Sequence, residues 1–123
     1  MVVDDDETTR ALVVRILRRI GFQKTLEGAD GQEALEMVHG FVPAFVVCDL
    51  HMKPMDGLSF VAAMRFGENN TLKGLPVIML TSEMRPDARE VAEKLNITDY
   101  IVKPATMIEL KAAAAKALGL ELP

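Results

Sequence analysis

The sequence has a single cysteine, Cys48, and therefore no internal disulfide. Cys48 lies inside an apolar run, where a thiol behaves as a small buried hydrophobe rather than a reactive group. Basic residues are outnumbered: 14 Lys and Arg against 18 Asp and Glu leave a net charge of −4. Without a strongly basic face, direct binding to DNA or RNA is not expected. No apolar stretch reaches the ~20 residues a membrane span needs, and no signal-peptide pattern opens the sequence, so the cytoplasm is the expected compartment. Glycine-rich nucleotide loops are missing too, since neither Gly-x-Gly-x-x-Gly nor Gly-x-x-x-x-Gly-Lys occurs. The two histidines, His39 and His51, lack the second Cys or His pair of a zinc site. Linkers, low-complexity tracts and internal repeats do not stand out.

What is present is ordinary globular material. The 123 residues are 50% hydrophobic and 26% charged, enough to bury a core in one domain over residues 1–123. Met1-Val2-Val3 runs straight into three carboxylates, and so short an apolar run suggests that its strand begins before Met1. Leu12, Ile16 and Ile20 recur every fourth residue beside Val13 and Leu17, which predicts an amphipathic helix capped by Asp6 or Glu7 and stopped by Gly21. A short strand is expected near Thr25 to Ala29, and Asp30 with Glu33 opens a helix to about His39. Ala44-Phe45-Val46-Val47-Cys48 is an unbroken apolar run ending at Asp49, the pattern of a strand covered on both faces. Asp56 caps a helix through Met64, and Pro76-Val77-Ile78-Met79-Leu80 forms another such strand ending at Thr81. Pro86 opens a helix to Leu95, after which Asn96 offers a left-handed stop. Tyr100-Ile101-Val102 leads into Lys103-Pro104, and Thr106 with Glu109 caps the last, alanine-rich helix. Strand and helix thus alternate five times. That requires an α/β fold, and the doubly wound five-stranded parallel sheet with strand order 2-1-3-4-5 suits this length.

Ligands of such sheets bind at the carboxyl ends of the strands. Strand one delivers Asp4, Asp5 and Asp6 there, strand three Asp49, strand four Thr81 and Ser82, and strand five Lys103. Each has a bland reading: acids favour a helix start, and a lysine can snorkel to water. Asp49 is harder to set aside, because a carboxylate at the mouth of a buried strand needs a cation nearby. Together the set suits phosphoryl transfer. Close carboxylates repel, and Mg²⁺, a hard oxygen-seeking cation, resolves that repulsion. An aspartate is a competent nucleophile toward phosphorus, while a lysine and a hydroxyl steady the equatorial oxygens.

Val2-Val3-Asp4-Asp5, Asp49 ahead of Met52 and Met55-Asp56-Gly57, then Thr81, Tyr100 and Lys103-Pro104 form an ordered set across essentially the whole chain. This set resembles the response-regulator receiver domains of two-component signalling, and by length the chemotaxis-type lone receiver. The resemblance implies a flavodoxin-like three-layer sandwich. It implies a signalling domain rather than an enzyme, one that catalyses only its own phosphorylation and dephosphorylation. Asp49 would be the phosphoacceptor. Asp5, Asp49 and the backbone carbonyl of His51 would hold Mg²⁺, with Asp4 acting through a metal-bound water. Lys103 would pair with Asp49 and then with its phosphate, Thr81 would bond that phosphate, and Tyr100 would change rotamer behind it. Tyr100 also has a bland reading as a core aromatic with a wet tip, though its place three residues before Lys103 favours the switch. The phosphodonor would be a histidine kinase or a histidine phosphotransfer protein, docking around the first helix. The fourth helix, fifth strand and fifth helix would meet a downstream protein.

Several positions depart from the family pattern. Met52 is followed by Lys53, and Pro54 comes one place late, which adds a cation near the site. His51 and Glu83, two residues after Asp49 and Thr81, occupy positions that tune phosphate lifetime. Asn96-Ile97 replaces Gly-Ala, Ala105 replaces an aromatic, and the charged pairs of dimerising transcription factors are not seen. Two rival readings remain. Asp4-Asp5-Asp6-Glu7-Thr8 is similar to the first motif of haloacid-dehalogenase-like phosphatases, with Asp4 as nucleophile, Asp6 as general acid, and Thr81 and Lys103 as later motifs. The chain is short for that family, no second acidic pair follows Lys103, and Asp49 is left unexplained. A non-phosphorylated interaction module on the receiver scaffold is the other, supported by Lys53 alone.

Overall fold

The long strands are the apolar runs, and every pairing in the sheet is parallel. The computed structural model describes residues 1–82 and 85–120. Along the chain come β1 (Val2–Val3), α1 (Glu7–Ile20), β2 (Glu27–Gly28), α2 (Gly31–Gly40), β3 (Val46–Asp49), α3 (Gly57–Phe66), α4 (Asn70–Lys73), β4 (Val77–Thr81), α5 (Pro86–Lys94), β5 (Asp99–Val102) and α6 (Met107–Leu118). The strand order is β2-β1-β3-β4-β5, the doubly wound order expected from the sequence. Register sets Val3 beside Gly28 and Cys48, Cys48 beside Met79, and Met79 beside Tyr100.

Side chains of a strand point alternately to the two faces, so one run feeds two cores. Val46, Cys48, Val77 and Met79 pack with Phe60, Val61 and Met64 of α3, Val38 of α2, Leu72 of α4 and Ala92 of α5. Val47, Ile78, Leu80 and Ile101 pack with Val13, Val14 and Leu17 of α1 and Leu110, Ala113 and Ala114 of α6. Fully burying a side chain such as Leu17 contributes about 1.5–3 kcal/mol, which is why the unalternating runs settle as central strands. The alanines of α6 let that helix lie close to α1 and the sheet.

Caps fall where the sequence puts them. Asp6, Asp30, Asp56 and Thr106 each accept the backbone N–H three residues on, at the starts of α1, α2, α3 and α6. Gly21 ends α1 at φ 132°, and Asn96 follows α5 at φ 56°. Four expectations need correction. The described residues form six helices rather than five, because a single turn, α4, starts at Asn69, whose carboxamide accepts from Thr71 and Leu72. The expected fourth and fifth helices are thus α5 and α6. Leu12 is 41% exposed, so the buried stripe of α1 runs through Val13, Val14 and Leu17. The strand expected over Thr25 to Ala29 pairs only at Glu27–Gly28, and α3 continues past Met64 to Phe66.

At the end of the sheet away from the carboxylates, Arg65 ties α4 and the turn after it to the turn after α5. Its guanidinium donates to the carbonyls of Leu95 (2.8 Å), Leu72 (3.1 Å) and Leu75 (2.8 Å). Partial burial pulls its pKa down, with no carboxylate partner among the described residues. Arg65→Ala should lower unfolding stability in urea by about 2–3 kcal/mol, because three carbonyls lose a charged donor at once. Arg65→Lys should recover less than half of that, since an ammonium cannot reproduce the planar fork.

Candidate phosphoacceptor site

Four strand ends converge on one rim. Asp4 follows β1 and is fully buried, Asp49 ends β3 at 5% exposure, Thr81 ends β4 fully buried, and Lys103 follows β5. The Lys103 ammonium lies 3.1 Å from Asp4 Oδ2 and 3.1 Å from Asp49 Oδ1. Asp5 is exposed beside them, and one carboxylate oxygen each from Asp4, Asp5 and Asp49 all fall within 4.8 Å of one another. Three carboxylates therefore face one ammonium. At such separations each like-charge pair repels by roughly 3–4 kcal/mol at the effective dielectric of a protein surface. Burial, and then the charge of Asp4, raise the pKa of Asp49 despite the opposing pull of Lys103. Burial works against the ammonium of Lys103, but its bonds to Asp4 and Asp49 prevail and raise its pKa. The same burial, with Asp49 and Asp4 behind it, keeps the Cys48 thiol protonated and inert.

Backbone contacts hold these groups rigidly. Arg10, one turn into α1, donates to the Asp4 carbonyl (2.7 Å) and to Glu27 Oε1 (3.2 Å), tying the end of β1 to β2. The Asp6 amide donates to Asp4 Oδ1 (2.9 Å), so Asp4 has both carboxylate oxygens engaged. Leu50 N–H reaches the Leu80 carbonyl (2.9 Å), and Lys103 N–H reaches the Thr81 carbonyl (2.7 Å). The Leu50–Asp56 loop is fastened at both ends by close-packed glycines. Gly57 N–H donates to the Leu50 carbonyl (2.9 Å), and a Cβ on Gly57 would sit 2.3 Å from the Asp49 carbonyl oxygen. A Cβ on Gly31 would sit 2.6 Å from the Met55 carbonyl oxygen, which the Gly31 N–H contacts at 3.2 Å.

A hard divalent cation fits this donor set. The oxygens are close, all anionic, and in excess of the one local ammonium. A shallow cleft of about 300 Å³ opens next to them, lined by Asp5, His51, Met52, Lys53 and Asp56.

The sequence reading named Asp4, Asp5, Asp49, Thr81 and Lys103, and the structure gathers them at this rim. Lys103 differs in one respect, since it bridges Asp4 as well as Asp49. His51 and Lys53 lie exposed on the adjoining cleft. Tyr100 is half-buried on β5, with the Arg89 guanidinium 5.3 Å from its ring centroid, a cation–π contact the sequence did not suggest. Burial, then Glu93, raise its hydroxyl pKa. Glu83 lies outside the described residues. The phosphatase reading fares poorly on geometry. The Asp6 carboxylate accepts from the amide and hydroxyl of Thr9 as the cap of α1, and that hydroxyl bond is the main reason its pKa falls, opposite to what a general acid needs. Arg10, Gly31 and Gly57 are site residues that sequence reasoning missed. Only the Asp56-Gly57 pair left a trace, as part of the quoted motif.

Residues 1–115 match the family described as the response regulator receiver domain. The chemotaxis protein CheY of Pseudomonas aeruginosa is 39% identical over 111 residues, covering 90% of this chain and 88% of that protein. Chemotaxis protein CheY-3 of Vibrio cholerae is also 39% identical over 111 residues, covering 90% and 84%. The crystal structure of chemotaxis protein CheY4 of Vibrio cholerae superposes with a TM-score of 0.86 at 29% identity, covering 95% of each chain.

Two outcomes follow from the packing and charge. Gly57→Ala should destabilise the fold by about 2 kcal/mol or more in denaturant unfolding, because its Cβ meets backbone that cannot swing aside. Asp49 has its folded pKa above the unfolded value, so its ionised form costs stability at pH values above that raised pKa and the cost vanishes below the unfolded pKa. In metal-free buffer at neutral pH, Asp49→Asn should therefore raise stability, read as a higher Tm. Added Mg²⁺ should raise the Tm of the parent chain more than that of the variant.

Proposed function

This chain belongs to the response regulator receiver domain family, and we propose that Asp49 is the residue through which it takes part in phosphorelay signalling. The observation that carries this reading is the Lys103 ammonium held between Asp4 and Asp49 at 3.1 Å from each. It marks Asp49 as a buried strand-end carboxylate with an accessible negative neighbourhood and a cation already aimed at it. On this reading a carboxylate oxygen of Asp49 attacks the phosphorus of a phosphohistidine. The bond from phosphorus to the donor nitrogen breaks, and that nitrogen keeps the electron pair. Residues 1–123 act as one receiver domain in the cytoplasm.

Asp5, Asp49 and the His51 carbonyl would hold Mg²⁺, with Asp4 reaching it through water. When bound, Mg²⁺ neutralises charge on the carboxylates and the incoming phosphoryl oxygens. Lys103 is the chain's own contribution to the same task, released in part from Asp49 toward the phosphate. Thr81 supplies a hydroxyl on the opposite strand. Its backbone is locked to that of Lys103, so the two move as a unit at the ends of β4 and β5. Tyr100, two residues before the end of β5, has its ring against Arg89 of α5, which supports α5, β5 and α6 as the surface for a downstream protein. The donor is a histidine kinase or a histidine phosphotransfer protein.

Incubation with Mg²⁺ and acetyl phosphate, followed by intact mass, tests the assignment. One phosphoryl group should be gained, its gain should require Mg²⁺, and Asp49→Ala should abolish it. Steady phosphate release that survives Asp49→Ala and fails in Asp4→Ala would instead establish a hydrolase. Neither adduct nor turnover would leave an unphosphorylated interaction module.

A further inference from the structure

A hollow of about 460 Å³ opens at the end of the sheet opposite the acidic rim. It lies beside Met1 and Phe45, which precede β1 and β3, whereas Asp4 and Asp49 stand at the far ends of the same strands. Its walls are the connections from α1 to β2 and from α2 to β3. The floor is apolar. Leu17 and Phe45 are buried there, and the Phe22 and Phe45 rings meet edge to face with centroids 5.1 Å apart. Phe41 and Val42 remain 63% and 40% exposed on one wall, apolar surface that a ligand would remove from water. The charged side chains of the lining are Arg18 and Lys24, both cations, in a chain of net charge −4. Both are exposed, and neither has a carboxylate within ion-pair distance among the described residues. The Arg18 guanidinium reaches instead to the hydroxyl of Thr25 (3.5 Å), another residue of the hollow.

We propose that this hollow is a second binding site, one that takes a small carboxylic acid with a flat apolar body: the body lies on Phe22 and Phe45, and the carboxylate meets Arg18 and Lys24. Sites for small molecules are concave and mostly apolar, with a few polar groups that fix orientation, and this hollow has both size and character of that kind. An aromatic body would gain from offset or edge contacts with the floor rings beyond the area it buries. The charge selects an anion, because no acid in the lining neutralises the two cations. A guanidinium fork matches a carboxylate in shape. Both cations are exposed, so the carboxylate stays wet and adds attraction without the penalty of burying an ion. The hollow shares no residue with the phosphoacceptor rim, so the inference stands apart from that reading.

The test follows amide NMR shifts of the isotope-labelled chain during titration with naphthoate and with naphthamide, its uncharged match in shape. Naphthoate should shift the amides of Phe22, Leu26 and Phe45 saturably and leave those of Asp49 and Lys103 unmoved. Arg18→Glu/Lys24→Glu should weaken naphthoate by about fivefold or more, the scale of two exposed ion pairs, and leave naphthamide within about twofold. Ala44→Trp sets a large ring over the hollow from an exposed position and should abolish binding of both probes. The inference would be overturned by the absence of saturable shifts at these amides up to the solubility of naphthoate, or by naphthoate binding indifferent to either variant. Equal affinities for naphthoate and naphthamide would also overturn it, leaving an apolar hollow blind to charge. Shifts at the same amides that grow with protein concentration before any probe is added would overturn it too, with a second copy of the chain as the occupant.

Discussion

One ammonium between two carboxylates organises this end of the molecule. Lys103, Asp4 and Asp49 come from three different strands, and each is costly to bury alone. The sheet order places β1, β3 and β4 side by side with β5 at the edge, so the three groups meet only if the doubly wound topology forms. Their charges do not cancel, since Asp5 and Asp49 still press against Asp4 with one lysine to share. The site is therefore poised to gain by taking up a cation, and the fold stores that electrostatic demand in backbone that cannot relax. Arg10, Gly31 and Gly57 prevent the relaxation, by fixing the end of β1 and both ends of the Leu50–Asp56 loop.

In the proposed mechanism a phosphoryl group on Asp49 changes the balance at that junction. Lys103 gains a more highly charged partner beside Asp4, and Thr81 shares its backbone movement through the 2.7 Å bond between their strands. Tyr100, on the same strand, packs on the core with its ring against Arg89 of α5. Helix α5 is well suited to respond. It buries only Ala92 along its length, and its first turn has no side-chain cap, whereas the turn after its C-terminus is held by Arg65. A local charge change can therefore bias a lightly packed element whose far end is anchored.

Much of this was legible in the residues. The unbroken runs before Asp49 and Thr81 specified buried parallel strands, and Asp6, Asp30, Asp56 and Thr106 named their helix starts through cap chemistry that acts over three residues. Local rules reach that far and no farther. Helix α4 escaped because four residues carry no period, and Leu12 was assigned to the wrong side because α1 has apolar residues around more than half its circumference. The roles of Gly31 and Gly57 depend on backbone arriving from elsewhere in the chain. Arg10 bonds the Asp4 carbonyl and the Glu27 carboxylate, and Arg65 bonds three carbonyls in two separate parts of the chain, which spacing alone cannot encode. The site residues were found because strand ends are few and the fold makes them converge. The clamps that hold them were missed because they are purely tertiary.

Chemical trapping of the acceptor bears most directly on these claims. An acyl phosphate is reduced by borohydride to the corresponding alcohol, which converts a phosphorylated aspartate to homoserine. After acetyl phosphate and Mg²⁺ treatment, reduction and peptide mass mapping should find homoserine at position 49, with Asp4, Asp5 and Asp6 unchanged. Homoserine at position 4, or label on any other aspartate while Asp49 stays intact, would contradict the assignment and with it the role given to Lys103.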